Sequence, residues 1–245
     1  MVQRSTAQAV PEPLIARRAP SRVSKQLDRK LNESVRRPLL AVAIVAALGV
    51  AVVTAIVVMH PYIPEDAVIE RDVQATNWGL LALTFPVFSW IGDAKGAVVE
   101  VIVLVAILVF NRPAWRLAIA AGMTGVWYVI LSHLIIRPRP TTAQVLQVTE
   151  HPGASSFPSG HTIFVATLMT VLMLCFGQRF LPGWARPAGW VVVAMTVLAC
   201  AISRLETGAH WPTDVLAAVL IATAWLAFVV SVRWISDGVL GSDSR

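Results

Sequence analysis

Ser203-Arg204-Leu205-Glu206-Thr207-Gly208-Ala209-His210-Trp211-Pro212-Thr213-Asp214 lies between two long apolar runs, one ending near Ile202 and the other starting near Val215. A chain that places an Arg, a Glu, a His and an Asp between two such runs is putting charge at a membrane boundary. Ionisable groups are costly to dehydrate there and are functional suspects by default. Pro212 marks a helix start, because a first-turn residue has no use for its missing N–H. His210 then stands just before the helix and Asp214 in its first turn. The spacing of four puts both side chains on one face. A carboxylate so placed can accept the imidazole Nδ1–H and leave Nε2 bare as a nucleophile.

Outward from this stretch, the same alternation of apolar runs and polar breaks covers the chain. Its 245 residues are 56% hydrophobic and 14% charged, with a mean hydropathy of +0.69; a soluble domain carries about 25% charged residues. The pattern predicts an all-α fold, a polytopic membrane helix bundle with six transmembrane helices. The expected spans are 39–59, 96–110, 117–136, 158–176, 187–202 and 212–234. Each is near the length of one crossing, the second being somewhat short. The segment 60–95, with Glu65, Asp66, Glu70 and Asp72, reads as an exposed loop. Within it Gly79–Ile91 is a short apolar stretch interrupted by Pro86, expected to lie at the interface. Arg137-Pro138-Arg139-Pro140 ends the third span, since residues before proline leave the helical region.

The net charge of +6 belongs to one end. Residues 1–38 hold nine Arg or Lys against three acids, and the remainder balances at eleven against eleven. The sequence therefore divides into a basic, disordered cytoplasmic tail (1–38) with a short basic helix over 24–37, a six-span domain (39–234) and a short cytoplasmic tail (235–245). No aromatic or folded module accompanies the basic residues, so no nucleic-acid partner is predicted. Cys175 and Cys200 fall inside apolar runs and read as buried thiols. Basic residues favour the inner side of a membrane. With both termini inside the cell membrane, Arg137–Pro140, Pro158–His161 and Ser203–Asp214 all reach the outer face.

That face then carries Arg137, Arg139, Ser159, Gly160, His161, Arg204, His210 and Asp214. Arginine forks match phosphate oxygens. Ser159-Gly160 precedes a helix whose free N–H groups favour an anion. Two histidines divide two tasks: one attacks phosphorus and one protonates the leaving oxygen. Phosphoryl transfer asks mainly for positioning and charge stabilisation, which this set supplies with no metal and no cofactor.

The tripartite pattern resembles the type 2 phosphatidic acid phosphatase (PAP2) superfamily of membrane lipid phosphatases, which are also similar to vanadium haloperoxidases. The family pattern is Lys-x6-Arg-Pro, then Pro-Ser-Gly-His, then Ser-Arg-x5-His-x3-Asp. The second element stands at 158–161, and the third at Ser203, Arg204, His210 and Asp214. The resemblance covers roughly residues 60–230. It implies that His210 forms a phosphohistidine, that Asp214 orients it and that His161 is the acid. Arg139, Arg204, Ser159 and Gly160 would bind phosphate. It further implies a membrane-embedded lipid phosphate or lipid pyrophosphate substrate. Arg139-Pro140 matches the first element, but the lysine position falls on Ser132. Arg137 is the preferred replacement. His133 is rotated about 100° from Ser132 on a helix and is less favoured.

Other readings of the same residues remain. Arg-Pro-Arg-Pro alone is a helix stop with snorkelling arginines, and Pro-Ser-Gly-His alone is a turn with a serine cap. His151, His161, His210 and Asp214 together would make a metal site. A lipid phosphotransferase would pass the phosphate to an acceptor other than water. A non-catalytic lipid-phosphate binding or transport protein would tolerate Ser132. The oligomeric state is not legible.

Overall fold

Proline and glycine divide the apolar runs into helices, and a computed structural model describes residues 22–91, 95–150 and 153–240 of them. Among these residues the structure is helical, with no strand. Two units separate at Ser34. In the first, 22–34 belongs to helix α1 (Arg22–Met59); the expected tail over 1–21 lies outside the described residues. The second unit holds everything that follows.

There α2 (Pro64–Ala75) comes first, then a 3-10 turn (Gly79–Thr84), α3 (Phe85–Ile91) and α4 (Lys95–Phe110). The third apolar run is α5 (Trp115–Gly122) and α6 (Thr124–Leu134). The fourth is α7 (Gly160–Leu172), continued by a π turn (Met173–Gly177) into the one-turn α8 (Gln178–Phe180). Then follow α9 (Arg186–Glu206), α10 (Pro212–Ser231) and α11 (Arg233–Leu240).

Among the described residues five stretches are long and apolar enough to cross a membrane: Ser34–Met59, Arg112–Leu134, Gly160–Phe180, Gly183–Glu206 and Pro212–Ser231. Val98–Phe110 is apolar but shorter, so five of the six expected spans meet the length of a crossing and one falls below it. The expected unbroken third span is jointed. Met123 separates α5 from α6, and the Thr124 hydroxyl donates to the Ala121 carbonyl at 2.5 Å.

The centre is α7, packed against α9 and α10. Its span is 61% buried and that of α10 is 56%, against 17% for the first span. Helices in lipid associate through close packing, with little hydrophobic drive between them. Small residues allow that approach, and Ala166 of α7 shares the main core cluster with Ala222, Leu226 and Val229 of α10. Ala217 and Ala218 of α10 have no exposed surface.

The segment 60–95 departs from the expected exposed loop. It forms α2, which packs on α9 and α10 and buries Asp66 and Glu70. The period explains this. Asp66, Ala67, Glu70 and Val73 recur at helical spacing, so one face carries both acids inward.

Candidate active site

His210 stands in the short link between α9 and α10. Gly208 turns this link with φ of +67°, and a Cβ there would strike the backbone of Gln147 and Val148. Glycine alone takes that geometry without strain. The link then returns to the start of α10 at Pro212, as the sequence predicts. His210 is buried, and its Nδ1 lies 2.6 Å from the Ser156 carbonyl oxygen. A carbonyl only accepts, so Nδ1 must carry the proton and Nε2 keeps its lone pair. Burial above all, then the Arg139 guanidinium, holds the ring well below its ordinary pKa of 6.5; the Ser156 carbonyl pulls the other way.

The expected Asp214–His210 hydrogen bond is corrected here. Asp214 Oδ2 is 3.9 Å from Nδ1, beyond hydrogen-bond reach. That oxygen instead accepts the Trp211 N–H at 2.9 Å, at the start of α10. The other oxygen accepts from Arg137 Nη1 at 2.5 Å. Helix capping and a buried cation outcompete the imidazole for this carboxylate.

His210 opens on a cavity of about 810 Å³, whose lining includes Tyr128, Ser132, His133, Arg139, Gly160 and His161. Arg139 donates to three carbonyl oxygens: Gly153 at 3.1 Å, Ala209 at 2.5 Å and Ser155 at 2.5 Å. Among the described residues no carboxylate forms an ion pair with it, so its positive charge is positioned and left open to an anion. Gly160 opens α7, and a Cβ on it would come within 2.9 Å of the Tyr128 ring. His161 follows in the first turn and is 8% exposed.

Two predicted phosphate ligands are buried and outside the cavity lining. The Ser159 hydroxyl meets Thr162 Oγ1 at 3.0 Å and does not cap α7. Arg204 pairs with Glu150 at 2.8 Å and donates to Ser89 and Ser203. Its buried Nε–H has no protein partner among the described residues, leaving one spare donor.

Arg137 is the clearest correction. It is fully buried, away from the cavity, and cannot replace the missing lysine. Its Nη2 pairs with Asp66 at 2.7 Å and its Nη1 with Asp214 at 2.5 Å. Nη1 also donates to the Thr213 hydroxyl at 2.7 Å, and Nε to the Pro61 carbonyl at 2.9 Å. Thr213 in turn donates to both Asp66 oxygens. One arginine thus ties α2 to the start of α10. Glu70 lies in the same region, fully buried, with both carboxyl oxygens unpartnered among the described residues. Burial, followed by the charges of Asp214 and Asp66, pushes its pKa up to about 9 against the opposing pull of Arg137. It is a neutral acid at ordinary pH.

The cavity brings together Arg139, Gly160, His161 and His210. It adds Ser132 and His133, both turned toward it, and Tyr128, which sequence reasoning overlooked. Ser156 was also missed; it acts through a backbone carbonyl, which leaves no mark on residue type. Among the described residues no three His, Cys, Asp or Glu side chains are grouped to hold a metal ion. His151, one candidate ligand, lies outside them.

Comparison with known proteins places these features in a family. The PAP2 superfamily model matches residues 113–237. The chain is 30% identical over 127 residues to the undecaprenyl-diphosphatase BcrC of Bacillus subtilis, covering 49% of this chain and 61% of that one. It is 42% identical over 89 residues to phosphatidylglycerophosphatase B of Haemophilus influenzae, covering 35% of each. It therefore spans less than two thirds of either relative. The crystal structure of a transmembrane PAP2-type phosphatidylglycerolphosphate phosphatase from Bacillus subtilis superposes with a TM-score of 0.62 at 19% identity. That superposition covers 78% of this chain and 94% of the other, and shows a shared fold.

Proposed function

The chain belongs to the PAP2 superfamily, and we propose that it is an integral membrane lipid phosphatase acting through a phosphohistidine on His210. Its substrate is a lipid phosphomonoester or pyrophosphate, of the polyprenyl pyrophosphate, phosphatidylglycerophosphate or phosphatidate class. The relatives' names support the first two. One observation carries the reading. The Nδ1 contact of His210 with the Ser156 carbonyl at 2.6 Å leaves Nε2 unprotonated in a cavity lined by Arg139 and His161.

In the first step the Nε2 lone pair attacks phosphorus and a P–N bond forms. The bond from phosphorus to the lipid oxygen breaks, and that oxygen leaves with the electron pair and takes a proton from His161. Arg139 and the opening amides of α7 at Gly160 balance charge on the equatorial oxygens. Water then attacks phosphorus and gives its proton to His161. The P–N bond breaks and phosphate departs. Asp214 serves as a structural anchor of the His210 link, acting through Trp211 and Arg137.

The basic-residue asymmetry supports a site on the outer face of the cell membrane, with the tails 1–38 and 235–245 cytoplasmic. Ala154→Cys should then be labelled in intact cells by an impermeant thiol reagent, and Leu240→Cys should not; the reverse pattern refutes this orientation.

The deciding experiment is phosphate release by purified protein from phosphatidate, phosphatidylglycerophosphate and polyprenyl pyrophosphate, with chelator present. Release is expected from at least one, with labelled phosphate trapped on His210 and turnover abolished in His210→Ala. Release from none, or wild-type turnover in His210→Ala, refutes the reading.

A further inference from the structure

A second, apolar cavity of about 200 Å³ lies against the first, between α4, α5 and α7. Glu100, Gly122 and Thr167 line both. Beyond them the wall is hydrocarbon, with Leu104, Ile107 and Val171. Thr167 stands seven residues past Gly160 on α7, so it lies about 10 Å along the helix from the phosphate end. It is only 6% exposed, and among the described residues its hydroxyl has no hydrogen-bond partner. Buried hydroxyls are almost always paired. An unpaired one at the junction of two cavities is an unfilled donor and acceptor. Glu100, exposed at the rim of the same junction, is an ionisable residue on a helix of otherwise apolar character, which is rare without function.

The geometry points to a subsite for the ester-bearing backbone of a glycerolipid, at the Glu100–Thr167 junction between the catalytic cavity and the apolar one. This deepens the phosphatase reading and rests on it. A phosphate at Arg139 and His210 leaves the rest of the lipid to run inward along α7. In a diacylglycerol phosphate, the ester carbonyls follow phosphorus by five or six bonds, roughly 6–8 Å at ordinary bond lengths. They arrive near Thr167, whose hydroxyl can donate to them, and one acyl chain continues into the apolar cavity. A prenyl phosphate presents only hydrocarbon at that depth. It would leave the threonine hydroxyl unpaired, so the junction selects against it.

The test compares kcat/KM for three lipids in mixed micelles: a diester phosphatidate, its diether analogue and a prenyl phosphate of similar chain length. The wild-type protein should favour the diester over the diether by about fivefold, the worth of one ordinary hydrogen bond, and the prenyl phosphate should be slowest. Thr167→Val should bring the diester and diether rates together, without changing hydrolysis of a water-soluble phosphomonoester. Equal diester and diether rates in the wild type, preference for the prenyl phosphate, or an unchanged ratio in Thr167→Val overturns the inference. The wild-type comparison needs no variant, so misfolding of one leaves the test standing. Hydrolysis of the soluble ester but of no lipid also overturns it, whereas hydrolysis of nothing refutes the phosphatase reading itself.

Discussion

Arg137 and Arg139 stand two residues apart, each before a proline, and end in opposite surroundings. Arg137 sits between two carboxylates, Asp66 and Asp214, with no exposed surface. Arg139 lines the cavity and is held by carbonyl oxygens. The contacts of Arg137 cancel its charge, while those of Arg139 fix its position and leave its charge available. A cation serves phosphate only when nothing else has already neutralised it. The closed region is thus an internal brace, and the open one is where chemistry can occur.

The sharpest way to break this comparison is to remove each arginine in turn. Arg139→Ala should lower kcat/KM by about 10²–10³-fold, as loss of one positioned donor does elsewhere, with little loss of folded protein. It should also move the acid limb of the pH–rate profile upward, because Arg139 is one of the groups holding the His210 pKa down. Arg137→Ala should act on the fold instead. Deleting one partner of a buried ion pair costs about 3–5 kcal/mol, read as a much lower Tm in detergent. The protein that still folds should keep its acid limb, since Arg137 is not among the groups acting on His210. Two equal losses of activity at unchanged Tm would erase the distinction between the regions.

Ser132 sharpens the comparison at a smaller scale. It lines the cavity beside His133, so the position of the family lysine does face the site. Ser132→Lys should raise activity, by about tenfold for a cation gained near phosphate. It should not rescue Arg137→Ala, because no carboxylate brace is restored. Rescue of that variant in a phosphate-release assay would show that Arg137 bears on phosphate after all.

Much of this was legible in the sequence. The apolar periodicity and the proline stops gave an all-helical membrane bundle, and Pro212 gave the start of α10. The motif spacing brought Arg139, Gly160, His161 and His210 to one cavity. The failures share a physical cause. Residue type announces that a group can bond, and not which partner wins it. Asp214 had the right spacing for His210 but was taken by Arg137 and Trp211. Ser156 supplies a backbone oxygen that any residue could supply. The acids of α2 looked solvated because their loop was polar, although Asp66 and Glu70 at a spacing of four marked one helical face.

Glu70 offers the finest test. It lies in the closed region as a neutral acid, with its pKa at about 9 where an ordinary glutamate has 4.5. Between those values the folded protein keeps a proton that the unfolded chain releases. Fewer protons bound when unfolded means that stability falls as pH rises through this window, and levels off above it. His210 works with the opposite sign. Its folded pKa is depressed, so its burial costs stability only as pH falls below about 6.5, where the unfolded imidazole takes up a proton. Measuring Tm from about pH 7 to pH 9 therefore reads Glu70 with His210 silent. The wild-type Tm should decline across that range, and Glu70→Gln, which keeps the shape without the ionisation, should decline less. Its turnover should stay within about twofold of wild type, as for a substitution remote from the reacting atoms. Equal slopes would mean that Glu70 is already ionised when folded. Lost turnover with an unchanged fold would mean that Glu70 moves a proton during the reaction, and the closed region would then belong to the chemistry as well.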